Sequence, residues 1–417
     1  MFESLLNAFR APDIRRRILF VLGILVVYRV LAQIPLPGID HAALSDFFKN
    51  NTAFGILDLF AGGGLSQLSI VGLAMNPYIN ASIIMQLMTG VIPSLQALSR
   101  EGEHGRQQLN RYTRYLTVPM ALLQSFGILS ALAAKDVIIG GFGLGMASSW
   151  VQMITMTAGA VLLMWLGELI TQRGVGNGIS LMIFASIASR IGPGITKWWS
   201  NPDQVFIVMM PFIALLVIVG IVFVQEGQRR IPVQYAKRVV GRRMTTGGST
   251  YLPLRVNMAG VIPVIFAASI MAFPPTIGQL LNTPAALDFA AFFSPNSWAY
   301  VVGEVFFIVI FTYFYTAVTF NPVDQADNLK KYGGFIPGVR PGRPTAEYLD
   351  RILSRLTFPG ALYLGAIAAL PTILINQTSA NFFFGGTSIL IVVGVALDTV
   401  KQLESQLMMR NYEGFLK

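Results

Sequence analysis

The chain contains no cysteine and only two histidines, His41 and His104, set far apart in polar stretches. Disulfides, cysteine-ligated metals and thiol nucleophiles are thereby excluded, and histidine-dependent chemistry fits poorly. Charge is also scarce. Of 417 residues 12% are Asp, Glu, Lys or Arg and 54% are hydrophobic, with a mean hydropathy of +0.61. That is the make-up of a polytopic membrane protein rather than a soluble globule. No G-x-x-x-x-G-K-[ST] pattern or Gly-rich nucleotide fingerprint occurs, so the chain is not expected to hydrolyse nucleotides or to be an enzyme, and neither metal nor cofactor is expected.

What the sequence has in abundance is apolar runs. About 20 such residues cross a bilayer, and ten candidate spans fall near 18–34, 74–92, 116–134, 150–170, 178–191, 204–225, 257–275, 299–320, 357–375 and 387–403. Arg15, Arg16 and Arg17 precede the first run as they would in a cleavable signal peptide. No small-x-small cleavage site follows, so Ile18 to Ile34 reads as a retained span. The fifth run is short enough to be re-entrant. If it crosses and the N-terminus is cytoplasmic, only Arg29, Lys49, Lys135, Arg190 and Lys197 of the 30 Lys and Arg fall elsewhere than the cytoplasmic side. The positive-inside bias therefore favours ten crossings with both termini in the cytoplasm.

Residues 54–70, FGILDLFAGGGLSQLSI, are apolar, but Gly62, Gly63 and Gly64 would interrupt any helix. Two readings stay open: an interfacial loop, or a re-entrant element whose backbone is satisfied inside the protein. Pro77-Tyr78-Ile79-Asn80-Ala81 shares Pro-x-Ile-x-Ala with Pro263-Val264-Ile265-Phe266-Ala267. Gly178 to Ile183 likewise shares Gly-x-Ser-x-x-Ile with Gly386 to Ile391. Spans 2 and 7, and spans 5 and 10, are thus paired, as a five-plus-five duplication predicts. The halves would be 1–191 and 192–417. The repeat marks Ile79, Ile83, Ile183, Ile265 and Ile391, which would form a dry apolar collar if the halves face each other; isoleucines that merely face lipid or neighbouring helices are the competing reading.

Acids within or near the ends of spans are Glu168, Glu304 and Asp398, and they form no evident proton relay. Glu168 and Arg173, five apart, would pair near the cytoplasmic surface. The cytoplasmic segments 226–256 and 321–356 are long for connectors. Their arginines, prolines and tyrosines suit docking of an acidic or nucleic-acid-bearing partner.

Many stretches, among them IPLPGID, DLFAGGGLSQLSI, MNPYINASIIMQL, MWLGELITQRGVGNGIS, EGQRRIPVQYAKR, LPLRVNMAGVIPVIFA, FNPVDQADNLKKYGGFIPGVRPG and FGGTSILIVVG, resemble the SecY family of bacterial Sec translocon channels over nearly the whole chain. The resemblance implies an all-α polytopic membrane protein of ten transmembrane helices in two pseudo-symmetric halves, with a re-entrant plug. Its pore ring maps to Ile79, Ile83, Ile183, Ile265 and Ile391, and its plug to Leu57, Phe60, Gly62, Gly63, Gly64, Leu65 and Leu68. Its lateral gate lies between spans 2 and 7, where Ser82, Gln86 and Ser269 would contribute polar groups. Partner docking maps to Arg230, Arg242, Arg243 and Arg340. The implied partners are SecE, SecG, the SecA motor ATPase, the translating ribosome with contact to its RNA, signal sequences, nascent chains and membrane lipids, in a bacterial inner membrane. The implied activity is passive protein conduction and lateral membrane insertion. A secondary transporter of a small solute is the alternative that ten spans in two halves also permit.

Overall fold

The structure is a computed structural model and describes residues 11–50, 58, 63–133, 137–143, 145–199, 204–235, 239–240, 243–244, 248–281, 283–294, 297–378 and 386–415. In chain order the helices are α1 (Pro12–Leu31), α2 (His41–Asn50), α3 (Asn76–Val91), α4 (Pro93–Arg100), α5 (Glu103–Ala133), α6 (Ala147–Arg173), α7 (Gly178–Ala188), α8 (Ile191–Trp199) and α9 (Gln204–Glu226). Strands β1 (Gln228–Tyr235), β2 (Val239–Val240), β3 (Arg243–Met244) and β4 (Ser249–Arg255) follow. The chain continues through α10 (Ile262–Met271), α11 (Phe273–Leu281), α12 (Pro284–Phe292), α13 (Trp298–Thr319), α14 (Pro322–Lys331), β5 (Gly334–Phe335), α15 (Arg343–Thr378) and α16 (Gly386–Phe415).

All ten apolar runs lie on helices: α1, α3, α5, α6, α7, α9, α10, α13, α15 and α16. Among the described residues, length and composition alone qualify five helical stretches to cross a membrane: Glu103–Ala133, Ala147–Arg173, Gly178–Thr196, Trp298–Lys331 and Arg343–Leu370. A sixth is added if Asn76–Val91 and Pro93–Ser99, bent by 104°, count as one. The bend has a local cause: Pro93 forces Ile92 into extended backbone, with ψ 115°, and begins a new helix. The short fifth run reaches spanning length because the chain passes from α7 almost directly into α8.

The start of each repeat is visible in the backbone. Pro77 and Pro263 sit in the first turns of α3 and α10, where a missing N–H costs nothing. Gly178 opens α7 and Gly386 opens α16. Helix pairing repeats as well. α3–α5, α5–α6 and α6–α7 pack in the first half of the chain, and α10–α13, α13–α15 and α15–α16 in the second.

Apolar residues gain little by leaving lipid for protein, so close backbone approach carries much of the packing. The α6–α7 contact shows this. A Cβ on Gly178 would lie 1.8 Å from the Gly167 carbonyl oxygen. The same corner is fixed by polar groups: Thr171 Oγ1 accepts from the Gly178 N–H at 2.9 Å, and Asn177 Oδ1 caps α7 by accepting from the N–H groups of Ile179 and Ser180.

The two basic segments, read from sequence as loops, fold together. β1 pairs antiparallel with β4 along its length and with β5 at Gln234–Phe335 and Tyr235–Gly334. Ile231 and Val233 alternate inward along β1 and join Leu254, Phe320, Ile336, Leu349, Ile352 and Leu353 in a separate buried core. A mostly helical membrane protein therefore carries a small α/β body outside its spans.

Gly178→Ala is expected to destabilise the protein by about 1–3 kcal/mol through overpacking. Gly23→Ala, where an added Cβ meets nothing within 4 Å, serves as the control. Thermal midpoints of the two purified variants in detergent check this, and equal midpoints would contradict it.

Candidate functional site

Ile79 and Ile83 of α3, Ile183 of α7, Ile265 of α10 and Ile391 of α16 are each no more than 5% exposed, and all five belong to one buried hydrophobic cluster. Four helices from both repeats thus bring the repeat-marked isoleucines together. Val71, Met75, Val261, Val264, Leu390 and Val395 complete their surroundings. Tyr28 of α1 reaches this layer and shares a 2.6 Å hydrogen bond with Ser186 Oγ, one turn beyond Ile183.

On the side bearing the basic segments, a cavity of about 420 Å³ adjoins the cluster. Val261 and Val395 belong to both. The rest of its lining includes Asn177, Ser180, Arg255, Asp398 and Lys401. Lys401 is also paired with Glu226 at 2.8 Å. The apolar cluster therefore meets a vestibule wide enough for several waters and lined by both charged and apolar groups.

Of the proposed plug residues, Leu57, Phe60 and Gly62 lie outside the described residues. Gly63, Gly64, Leu65 and Leu68 are described and occupy non-helical backbone, with Leu65 and Leu68 fully buried. An interfacial loop would expose these leucines. Instead they pack with Leu36, Leu44, Ala121, Leu129 and Met156 in a second cluster, while Val71 and Met75 enter the isoleucine cluster. The backbone is answered by protein: Leu36 N–H donates to the Leu68 carbonyl at 2.9 Å, and Ile70 N–H to the Ile34 carbonyl at 3.0 Å. Gly159 of α6 lets this segment close in, since a Cβ there would lie 2.0 Å from the Ile70 carbonyl oxygen. Leu68 itself has φ +44°, a left-handed conformation that costs a leucine about 1–2 kcal/mol.

Two residues of this region escaped the sequence reading. Asp58, 2% exposed, accepts from the N–H groups of Leu65 and Ser66 at 3.0 and 2.8 Å and forms an ion pair with Arg190, just after α7. A signal for it existed: Arg190 stood on the wrong side of the charge bias, and Asp58 was the acid in an otherwise apolar stretch. The anticipated Glu168–Arg173 pairing is corrected as well. Glu168 accepts from Arg114 Nε of α5 at 2.7 Å, across neighbouring helices rather than along its own.

Ser82 and Gln86 of α3 and Ser269 of α10 are half-buried on two helices that pack together. Gln86 Nε2 donates to Ser82 Oγ at 3.4 Å, whereas Gln86 Oε1 and the buried Asn80 Oδ1 have no partner among the described residues. Arg230 is exposed on β1, and Arg340 is exposed in the turn between β5 and α15. That turn is braced by Thr345 Oγ1 donating to the Arg340 carbonyl at 2.8 Å. Arg243 lies in β3, paired with Val240. Arg242 falls outside the described residues.

A family model described as SecY matches residues 69–400. The chain belongs to the SecY family. Among relatives of this SecY-family chain, the protein translocase subunit SecY of Corynebacterium glutamicum is 49% identical over 443 aligned residues, covering 100% of both chains. Those of Mycobacterium tuberculosis and Streptomyces coelicolor are each 47% identical, again over 100% of both. Among solved structures, one described as a protein-conducting channel aligns with TM-score 0.64 at 19% identity, covering 93% of this chain and 91% of that one. A second aligns with TM-score 0.65 at 20% identity over the same shares; its plug domain is described as stabilising the closed state of the channel and maintaining a membrane seal. Sec61 from a canine ribosome–channel complex aligns with TM-score 0.59 at 19% identity, covering 93% of this chain and 91% of that one. The fold is therefore that of the SecY and Sec61 channels. As a SecY-family member the chain is a multi-pass membrane protein and a protein-conducting channel subunit of a translocon, in a family of channels rather than enzymes.

Proposed function

We propose that the chain conducts unfolded precursors through an isoleucine-lined waist and releases apolar segments sideways between α3 and α10. The observation that carries this is adjacency: the buried cluster containing all five isoleucines shares Val261 and Val395 with the vestibule and takes in Val71 and Met75 of the buried non-helical segment. A passing chain must not let ions follow. Isoleucines exclude water, offer no fixed binding site and yield to side chains of any shape. The segment around 54–70 acts as the plug, and Ile79, Ile83, Ile183, Ile265 and Ile391 form the ring.

Residues 1–191 and 192–417 move as the two halves of a clamshell about this waist. A signal sequence entering between α3 and α10 replaces their mutual packing and shifts the closed–open equilibrium. The amide oxygens of Asn80 and Gln86, unpartnered among the described residues, support a helix that borders water or a polar guest rather than lipid alone. SecE and SecG are the companion subunits. SecA or the ribosome docks on the α/β body through Arg230, Arg242, Arg243 and Arg340, and supplies the direction and energy that the chain lacks. The protein resides in a bacterial inner membrane with both termini in the cytoplasm.

A secondary transporter has one observation in its favour, the acid Glu304, which is 4% exposed on α13. Glu304→Gln should leave precursor export within about twofold of the parent; abolished uptake of a small solute, with export absent in the parent too, would favour the transporter. The absence of native cysteine makes the channel directly testable. With Ile83→Cys, a stalled precursor bearing one cysteine should crosslink at position 83, and exposed Ile154→Cys on α6 should not. Crosslinks only at 154 would sink the pore assignment. Arg340→Glu should lower SecA- or ribosome-dependent export several-fold without changing the amount of folded protein, and unchanged export rates would refute its docking role.

A further inference from the structure

Asp58 and Arg190 do more than fill space. Asp58 is held from two directions: the Leu65 and Ser66 N–H groups grip it within its own segment, and the Arg190 guanidinium grips it from the helix side. Gly63 adopts φ +90°, and a Cβ on it would come 3.4 Å from Arg190 Nη2, so the guanidinium lies close over bare backbone. Arg190 follows Ile183 by seven residues, two helical turns, and Ser186 and Ile187 lie between on the same face. One face of α7 and the turn that follows it thus carry a ring isoleucine, the bond to Tyr28 and the cation that holds the plug segment.

We propose that the Asp58–Arg190 pair is a latch that sets how strong a signal sequence must be before the channel opens. The inference rests on the channel reading above. In the closed state the pair is largely buried, and neither charge is left uncompensated. When a chain displaces Ile183, α7 carries Arg190 away from Asp58, and both charges become hydrated. Removing one partner strands the other in the closed state, which is far more costly than removing both. Losing one partner therefore lowers the demand on the signal sequence, whereas losing both leaves no stranded charge.

The test uses the full chain with its companion subunits in membrane vesicles. Arg190→Gln should raise both resting ion leak and export of a precursor with a weakened signal by at least about tenfold, the change produced by roughly 1.4 kcal/mol in the closed–open equilibrium. Asp58→Asn keeps an oxygen for the Leu65 and Ser66 N–H groups while removing the charge. Combined with Arg190→Gln, it should bring both readouts back toward the parent. Leak and selectivity unchanged by Arg190→Gln, or a double variant as permissive as the single, would overturn the latch.

A tether guards against simple misfolding. Asp58→Cys with Arg190→Cys, joined by a reducible bifunctional reagent, should block export until the link is reduced; export at the parent rate through the tethered channel would refute the proposal. The position 83 crosslink on the same vesicles separates the two ideas. A link at 83 together with free export through the tethered channel rejects the latch alone, whereas no link at 83 rejects the channel reading beneath it.

Discussion

A peptide backbone that leaves helical geometry at membrane depth has no water to satisfy it, and the buried non-helical segment 63–75 of this protein depends on meeting that demand. Residues 68–70 borrow partners from the stretch 34–36 that follows α1, and Asp58 gathers the N–H groups of Leu65 and Ser66. Gly159 removes the side chain that would keep α6 at a distance. Once these polar groups are answered, Leu65 and Leu68 can be buried on one side and Val71 and Met75 on the other. The segment then joins two clusters that would otherwise be separate.

The isoleucine layer has the opposite need. As the waist proposed above it would need to be free of polar commitments, because any fixed charge or hydrogen-bonding group would hold water and bind what passes. Four helices contribute these isoleucines, so no single contact holds the layer together. Its polar neighbours are kept at the margins, with Tyr28 bonded to Ser186 and the charged groups of the vestibule near Lys401 and Glu226.

Much of this was legible in the sequence because hydropathy and charge bias act on long segments. All ten apolar runs lie on helices, and the short fifth one is supported by positive charge placement in the sequence and by its continuation into α8 in the structure. The isoleucines were legible because duplication leaves a local motif at each site. The α/β body was not, because β1 and β5 are about a hundred residues apart and their pairing depends on a core that neither segment contains alone. The Asp58–Arg190 pairing is hidden for a related reason: each residue is an isolated oddity within its own segment, and only the fold brings the two charges into one buried place.

The α/β body has a mechanical consequence. Its strands and helices are chain-continuous with α9, α10, α13 and α15, all from the second half of the chain. Its core ties the two connections into one rigid handle. On the docking proposed above, a machine that grips this body would exert torque on the second half of the chain and not on the first. Docking and prying apart would then be the same physical event.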